Sequence, residues 1–184
     1  MKTLLTLLLL LSSLYAQRSG AYVGAGYGYG MYDSDDRLSQ EINSASNGTF
    51  RLTLGAYINE NFSLELDYSI YNKFDGFYED AKVQESFSIV GVSVLPHYPF
   101  YDDTFDLYGK LGAGQIFWNE TGEHRNNDAA GAYILGIGLG YRMQSDYLLK
   151  IGYDLTSFGL DDTLENKNYE MRLDLFYMAF EVKF

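Results

Sequence analysis

"GAYVGAGYGYGMY" (residues 20–32) sets glycine against larger residues over a dozen positions. Glycine is poor in helices and in ordinary strand interiors. One parity reads Ala21, Val23, Ala25, Tyr27, Tyr29 and Met31. The other reads Tyr22, Gly24, Gly26, Gly28 and Gly30. A period of two is the mark of a strand with two unlike faces. The spacing is G-x-G-x-G, not the G-x-G-x-x-G of a phosphate-binding loop, and no helical pattern follows it.

The same period returns downstream. "TFRLTLGAY" sets Phe50, Leu52, Leu54 and Ala56 against Arg51, Thr53, Gly55 and Tyr57. "FSLELDYSIY" separates Phe62, Leu64, Leu66, Tyr68 and Ile70 from Ser63, Glu65, Asp67 and Ser69. "FDLYGKLGA", "YILGIGLGYR" and "LLKIGYDL" repeat the division. Two segments change phase. In "VQESFSIVGVSVL" the apolar parity begins at Phe87 and Ile89 and passes to Val90, Val92 and Val94. In "MRLDLFYMAFEVKF" it begins at Met171, Leu173 and Leu175 and passes to Phe176, Met178, Phe180, Val182 and Phe184. One β-bulge in each segment would reconcile the phases.

Eight strands are thus predicted. Long connections are expected at about 33–48, 72–82, 119–128 and 157–168. Short ones fall at 58–61 and 143–146, with a medium one carrying both prolines at 95–104. This alternation gathers loops at one end of the sheet and turns at the other.

The first 16 residues stand apart. Met1-Lys2 opens with positive charge, "TLLTLLLLLSSL" is apolar but too short to span a membrane, and "LYA" precedes Gln17. This reads as a secretory signal peptide cleaved after Ala16, leaving one domain over 17–184. That domain has no cysteine, so no disulfide staples it. The formal net charge of −12 argues against nucleic acid as a partner.

The polar face decides the architecture. It carries Arg51, Glu65, Asp67, Asp106, Lys110, Arg142, Lys150, Asp154, Glu181 and Lys183, while Glu85 is the one blemish on the apolar parity. A soluble barrel turns such a face to water; a membrane barrel turns it inward and shows its apolar face to lipid. Glycine on the polar face favours the second, because a narrow lumen needs room for long charged side chains. Tyrosine and phenylalanine near strand ends suit an interfacial girdle. In hydrocarbon every backbone polar group must be paired, so the sheet must close. The expected fold is all-β, an eight-stranded antiparallel up-and-down transmembrane barrel.

These segments resemble the small outer-membrane barrels of the OmpA transmembrane-domain and OmpX type. "AYVGAGYGYG" is similar to that family's first strand, "NFSLELDYSIY" to its third, "FDLYGKLGAG" to its fifth and "LLKIGYDL" to its seventh. The resemblance implies long extracellular loops, short periplasmic turns and a Gram-negative outer-membrane location. It puts Glu65, Lys110 and Lys150 at positions of lumenal ion pairs, while Gly140 stands where the family often has an acid. Since the chain stops at Phe184, no peptidoglycan-binding domain is expected. Phe176, Met178, Phe180, Val182 and Phe184 resemble the terminal-strand signal read by the outer-membrane assembly machinery.

The expected lumenal charge network is Arg51, Glu65, Asp67, Lys110, Lys150 and Asp154, with Arg51 paired to Asp67 across adjacent strands and Glu65 to Lys110 or Lys150. Acidic loop clusters (Asp33, Asp35, Asp36; Asp161, Asp162, Glu165) offer carboxylates to divalent cations that bridge lipopolysaccharide. His97 is expected in the proline turn, and His124 in a loop near Glu123 and Asp128. Neither suggests a triad, so no catalytic residue, metal site or cofactor is expected. The reading is a monomeric, non-enzymatic barrel with a structural or surface-interaction role, in contact with outer-membrane lipid and lipopolysaccharide. A narrow ion or small-solute channel is the alternative, and a lipid A-modifying enzyme a third.

Overall fold

A computed structural model describes residues 20–34, 46–78, 81–121, 127–144, 146–162 and 167–184, apart from some side chains at the loop-end strand tips. Among the described residues there are nine strands: β1 (Gly20–Ser34), β2 (Ser46–Asn59), β3 (Phe62–Tyr71), β4 (Phe74–Tyr78), β5 (Ala81–Phe100), β6 (Phe105–Thr121), β7 (Asn127–Gln144), β8 (Tyr147–Asp162) and β9 (Lys167–Lys183). All pairings are antiparallel. β1 pairs with β9, and β3 with β5, so the sheet closes as a barrel of eight strands. The extra strand, β4, continues β3 after Asn72–Lys73 and pairs with β5 alone.

The inside-out polarity holds. Leu52, Leu66 and Ile151 are 44%, 45% and 41% exposed on the outer wall, whereas Lys110 and Lys150 are 1% and 2% exposed inside. β3 alternates residue by residue between the two states. The eight wall strands, 10–20 residues long, suffice to cross the hydrocarbon, which takes roughly 9–11 residues. Aromatic side chains ring the turn end, where Phe100 packs on Phe105 at 5.6 Å and Phe105 on Tyr141 at 5.4 Å.

The glycines of β1 face a crowded interior. A Cβ on Gly30 would lie 2.5 Å from the Tyr71 ring, and one on Gly24 would lie 2.7 Å from Glu181 Cγ. The large residues pair with glycine elsewhere too: Tyr22 covers Gly55, and Tyr108 covers Gly138. A ring can cross a narrow lumen only where the facing strand has no side chain.

Three sequence expectations need correction. No bulge occurs at the phase changes: the registers with both neighbours run unbroken over 88–94 of β5 and 171–182 of β9. Instead Phe87, Ile89, Met171, Leu173 and Leu175 point inward and join a buried apolar cluster with Ile116, Trp118, Ile134 and Phe158. The outward parity of both strands is constant, and the interior itself changes from polar to apolar along the axis. Glu85 shares the inward parity and is buried, so it is no blemish on the outer face. Register shifts fall elsewhere, at Tyr57/Asn59 and Arg142/Gln144, beside turns.

Second, the connections are shorter than expected. Strands extend into the expected loops at 33–48, 119–128 and 157–168, and β4 occupies much of 72–82. Third, Pro96 and Pro99 lie within β5, and only residues 101–104 form the turn. Pro96 packs outward near Gly109, where the β5–β6 ladder skips two pairs, as a residue without N–H requires. Tyr101, Asp102 and Asp103 take φ of 52°, 50° and 62° in that turn, a region Asp tolerates better than most residues.

An apolar interior layer behaves as a core. Leu173→Ala is expected to lower the unfolding free energy of detergent-refolded protein by about 2–5 kcal/mol in urea. Leu54→Ala, on the outer wall, is expected to cost clearly less in the same titration.

Candidate functional site

The polar half of the lumen lies between that apolar cluster and the turn end. It is built from inward positions of six strands. β2 supplies Arg51; β3 supplies Ser63, Glu65 and Asp67; β5 supplies His97; β6 supplies Asp106 and Lys110; β8 supplies Lys150 and Asp154; β9 supplies Glu181. Each points inward because it shares parity with residues already committed to the interior.

All six expected network residues meet there. Glu65 is the shared acceptor: its Oε1 takes Arg51 Nη2 at 2.9 Å and Lys110 Nζ at 3.2 Å, and its Oε2 lies 3.5 Å from Lys150 Nζ. Lys110 also donates to Asp67 at 3.0 Å and Asp154 at 3.2 Å, using its three N–H groups on three carboxylates. Arg51 donates to Asp154 at 2.5 Å, and its guanidinium carbon stands 4.4 Å from the centre of the Tyr177 ring.

The expected pairs are present, but Arg51 has closer partners than the one expected. Arg51 stands opposite Ser69 in register, and Asp67 opposite Thr53, so their contact is a diagonal one of 3.9 Å. The short bonds of Arg51 go to Glu65 on the same neighbour and to Asp154 across the lumen. Both Lys110 and Lys150 reach Glu65, so the two alternatives for that carboxylate are both realised.

Glu181 completes the set, 2.7 Å from Lys150 Nζ. Its parity marked it as inward, but its place in the terminal motif drew attention to the outward residues beside it. Tyr22, Tyr108 and Tyr177 were hidden for another reason: a tyrosine fits either face. Tyr22 donates to Glu65 at 3.1 Å, and Tyr108 and Tyr177 share a 3.0 Å hydroxyl contact. Lys150 sits 4.9 Å from the Tyr108 ring centre. Isolated charges cannot be buried at acceptable cost; these are paired, hydrogen-bonded and roofed by aromatic faces.

His97 is not in a turn. It is inward on β5, with Nδ1 2.9 Å from Asp106 Oδ2 and Nε2 2.8 Å from Ser63 Oγ. With Asp106 as acceptor, Nδ1–H donates and Nε2 accepts the Ser63 hydroxyl. This is the connectivity of a serine–histidine–aspartate triad. Catalysis also requires substrate to reach the nucleophile, and Ser63 is 0% exposed beneath the rings around His97. The three strands that carry it bring Ser63, His97 and Asp106 together from positions with no common sequence motif.

His124, Glu123, Asp35, Asp36 and Glu165 lie outside the described residues, as do the side chains of Asp33, Asp128, Asp161 and Asp162. On the outer wall near the loop end, Arg172 forms a 2.6 Å ion pair with Asp174 and a hydrogen bond to Tyr153. The absence of a bulge in β9 is what turns this pair outward.

Because Glu65 answers three cations, Glu65→Gln is expected to cost about 3–5 kcal/mol, the range for breaking a buried ion pair. Ser63→Ala, which removes one hydroxyl, is expected to cost about 1–3 kcal/mol. Urea unfolding of the refolded barrel separates the two.

The fold is similar to that of Neisserial surface protein A, with a TM-score of 0.65 and 18% identity over 90% of this chain and 98% of that one. It is similar to Ail, the attachment invasion locus protein of Yersinia pestis, with a TM-score of 0.59 and 13% identity over 91% and 100%. The outer membrane protein OprG of Pseudomonas aeruginosa gives 0.57 and 14% over 92% and 98%. At these identities the likeness is one of fold. No curated protein sequence matches the chain. Residues 3–184, however, match the family of the outer membrane protein beta-barrel domain. With that match and a closed barrel apolar on its outside, the chain belongs to the outer membrane protein beta-barrel domain family and to the bacterial outer membrane.

Proposed function

We propose that this protein is a plugged, non-enzymatic barrel whose role is structural and surface-interactive, its loop-end hairpins presented outside the cell on a rigid wall. The observation that carries this reading is the filled lumen. Three cations and four carboxylates interlock across it, and an apolar layer covers them on the loop side. An ion crossing would have to separate paired charges and then enter an oily layer. Both steps are costly, and an eight-stranded barrel has just enough width for its own side chains.

In this reading residues 1–16 are removed on export, and the mature monomer begins at Gln17. Phe176, Met178, Phe180, Val182 and Phe184 present the terminal signal to the assembly machinery; Phe176, Met178, Phe180 and Phe184 are exposed on the outer wall. Ail is named for attachment and invasion, and a shared scaffold offers the same opportunity for display. The acidic loop sequences here favour cationic partners or divalent cations that bridge lipopolysaccharide. Ser63, His97 and Asp106 act as interior hydrogen-bonded fill.

Refolded protein in planar bilayers is expected to give no steady single-channel openings. Steady openings whose conductance changes with Lys110→Met would establish the solute path instead. Fluorophosphonate probes are expected to leave Ser63 unlabelled, and labelling lost in Ser63→Ala would establish a hydrolase. Mass measurement of the outer-membrane form is expected to give a chain starting at Gln17.

A further inference from the structure

The barrel wall has a local irregularity at its loop end. β3 pairs with β5 as far as Ile70 and Ser88, and β4 resumes with Phe74 and Glu85. Between these pairs, Tyr71, Asn72 and Lys73 stand against only Ser86 and Phe87. The Asn72 N–H turns away to the Gly48 carbonyl at 2.9 Å, and the Asn47 side chain bonds the Lys73 carbonyl. These contacts carry the β2–β3 register one pair further, while the ladder with β5 is interrupted.

A cavity of about 530 Å³ lies at this place. That is within the roughly 300–1,000 Å³ typical of small-ligand sites. Its rim belongs to the outer wall. One row across four strands reads Ile70, Ser88, Phe117, Ala129, large and small in turn. The small members form a trough between the large ones. Below it, Gly131 continues the trough, with open space where a side chain would stand. Above it lie polar Ser86 and Asn119, paired in register. The floor reaches the barrel interior at Tyr71, Phe87 and Trp118. Trp118 is buried, and its indole N–H has no acceptor among the described residues.

We propose that this trough is a specific site for one outer-leaflet acyl chain bearing an oxygen-rich head. The trough is continuous with the lipid-facing belt through Tyr68, Ile70 and Phe117, so a bilayer chain reaches it without leaving hydrocarbon. Ser86 and Asn119 make its upper edge polar, while the next row below runs Val90, Gln115 and Gly131 before the wall becomes apolar at Val92 and Ala113. Ser86 and Asn119 offer polar contact to the head, and Trp118 underlies the trough as one of its lining residues. The site lies in the wall and is independent of whether the lumen conducts.

Trp118 is the chain's sole tryptophan, so its fluorescence reports the site without interference. The full barrel, refolded in nanodiscs of unbrominated lipid, is titrated with 11-bromoundecanoate. Saturable quenching is expected, removed in Ser88→Phe and in Ala129→Phe, which fill the trough, and retained in Leu54→Phe on the distant β2 wall. Heat-modifiable gel mobility identifies which variants have folded, and either trough variant alone serves if the other does not fold. Quenching that rises linearly without saturation in the unaltered protein overturns the proposal. So does saturation that persists unchanged in a folded trough variant.

Discussion

The pairing of β3 with β5 is the constraint on which the rest depends. In water, an open sheet edge is a liability; in hydrocarbon it leaves a row of N–H and C=O groups with no partner at all. Closing eight strands satisfies them, and it also fixes the volume inside. Every inward side chain must then share that volume with others from across the lumen. The glycine-rich first strand follows from this. Where Tyr22, Tyr71 or Tyr108 crosses the interior, a facing strand has glycine to receive it.

The same enclosure explains the two kinds of interior. Near the turn end, charges are held by interlocking: Glu65 meets three cations, and Lys110 meets three carboxylates. Toward the loop end the interior is filled with Phe87, Ile89, Leu173, Leu175 and their neighbours. Charge in that layer would have few partners, while apolar fill needs none. A membrane barrel can therefore hold a small core of the soluble kind inside a lipid-facing wall of the same composition. The irregular seam beside Tyr71 and Phe87 brings the two apolar surfaces close, and the trough lies there.

Much of this was readable along the chain, and the failures are instructive. The phase changes at Ile89/Val90 and Leu175/Phe176 suggested bulges because one apolar face per strand was assumed. Near the loop end the apolar residues of β5 and β9 face inward, while Ser86, Ser88, Arg172 and Asp174 take the outward parity, so the pattern changes while the backbone stays in register. His97 looked like a turn residue because two prolines flank it. Yet Pro96 directs its missing N–H at a gap in the ladder, and the strand continues. The charge network was legible as a set, since parity alone put its members inside. Its pairings were legible only in part: Arg51 with Asp67 and Glu65 with both lysines are present, but Arg51 and Asp154 lie 103 positions apart and meet only across the lumen.

Local chemistry by itself therefore determined the strands, their two-sidedness, the inward direction of the charges and the membrane setting. These depend on period and composition, which are properties of each segment taken alone. Only the tertiary structure decided which strands close the wall, which carboxylate each cation holds, where the interior turns from polar to apolar, and that Ser63, His97 and Asp106 touch. The reason is geometric: alternation says toward which side a residue points, but not its height in the lumen or what faces it there.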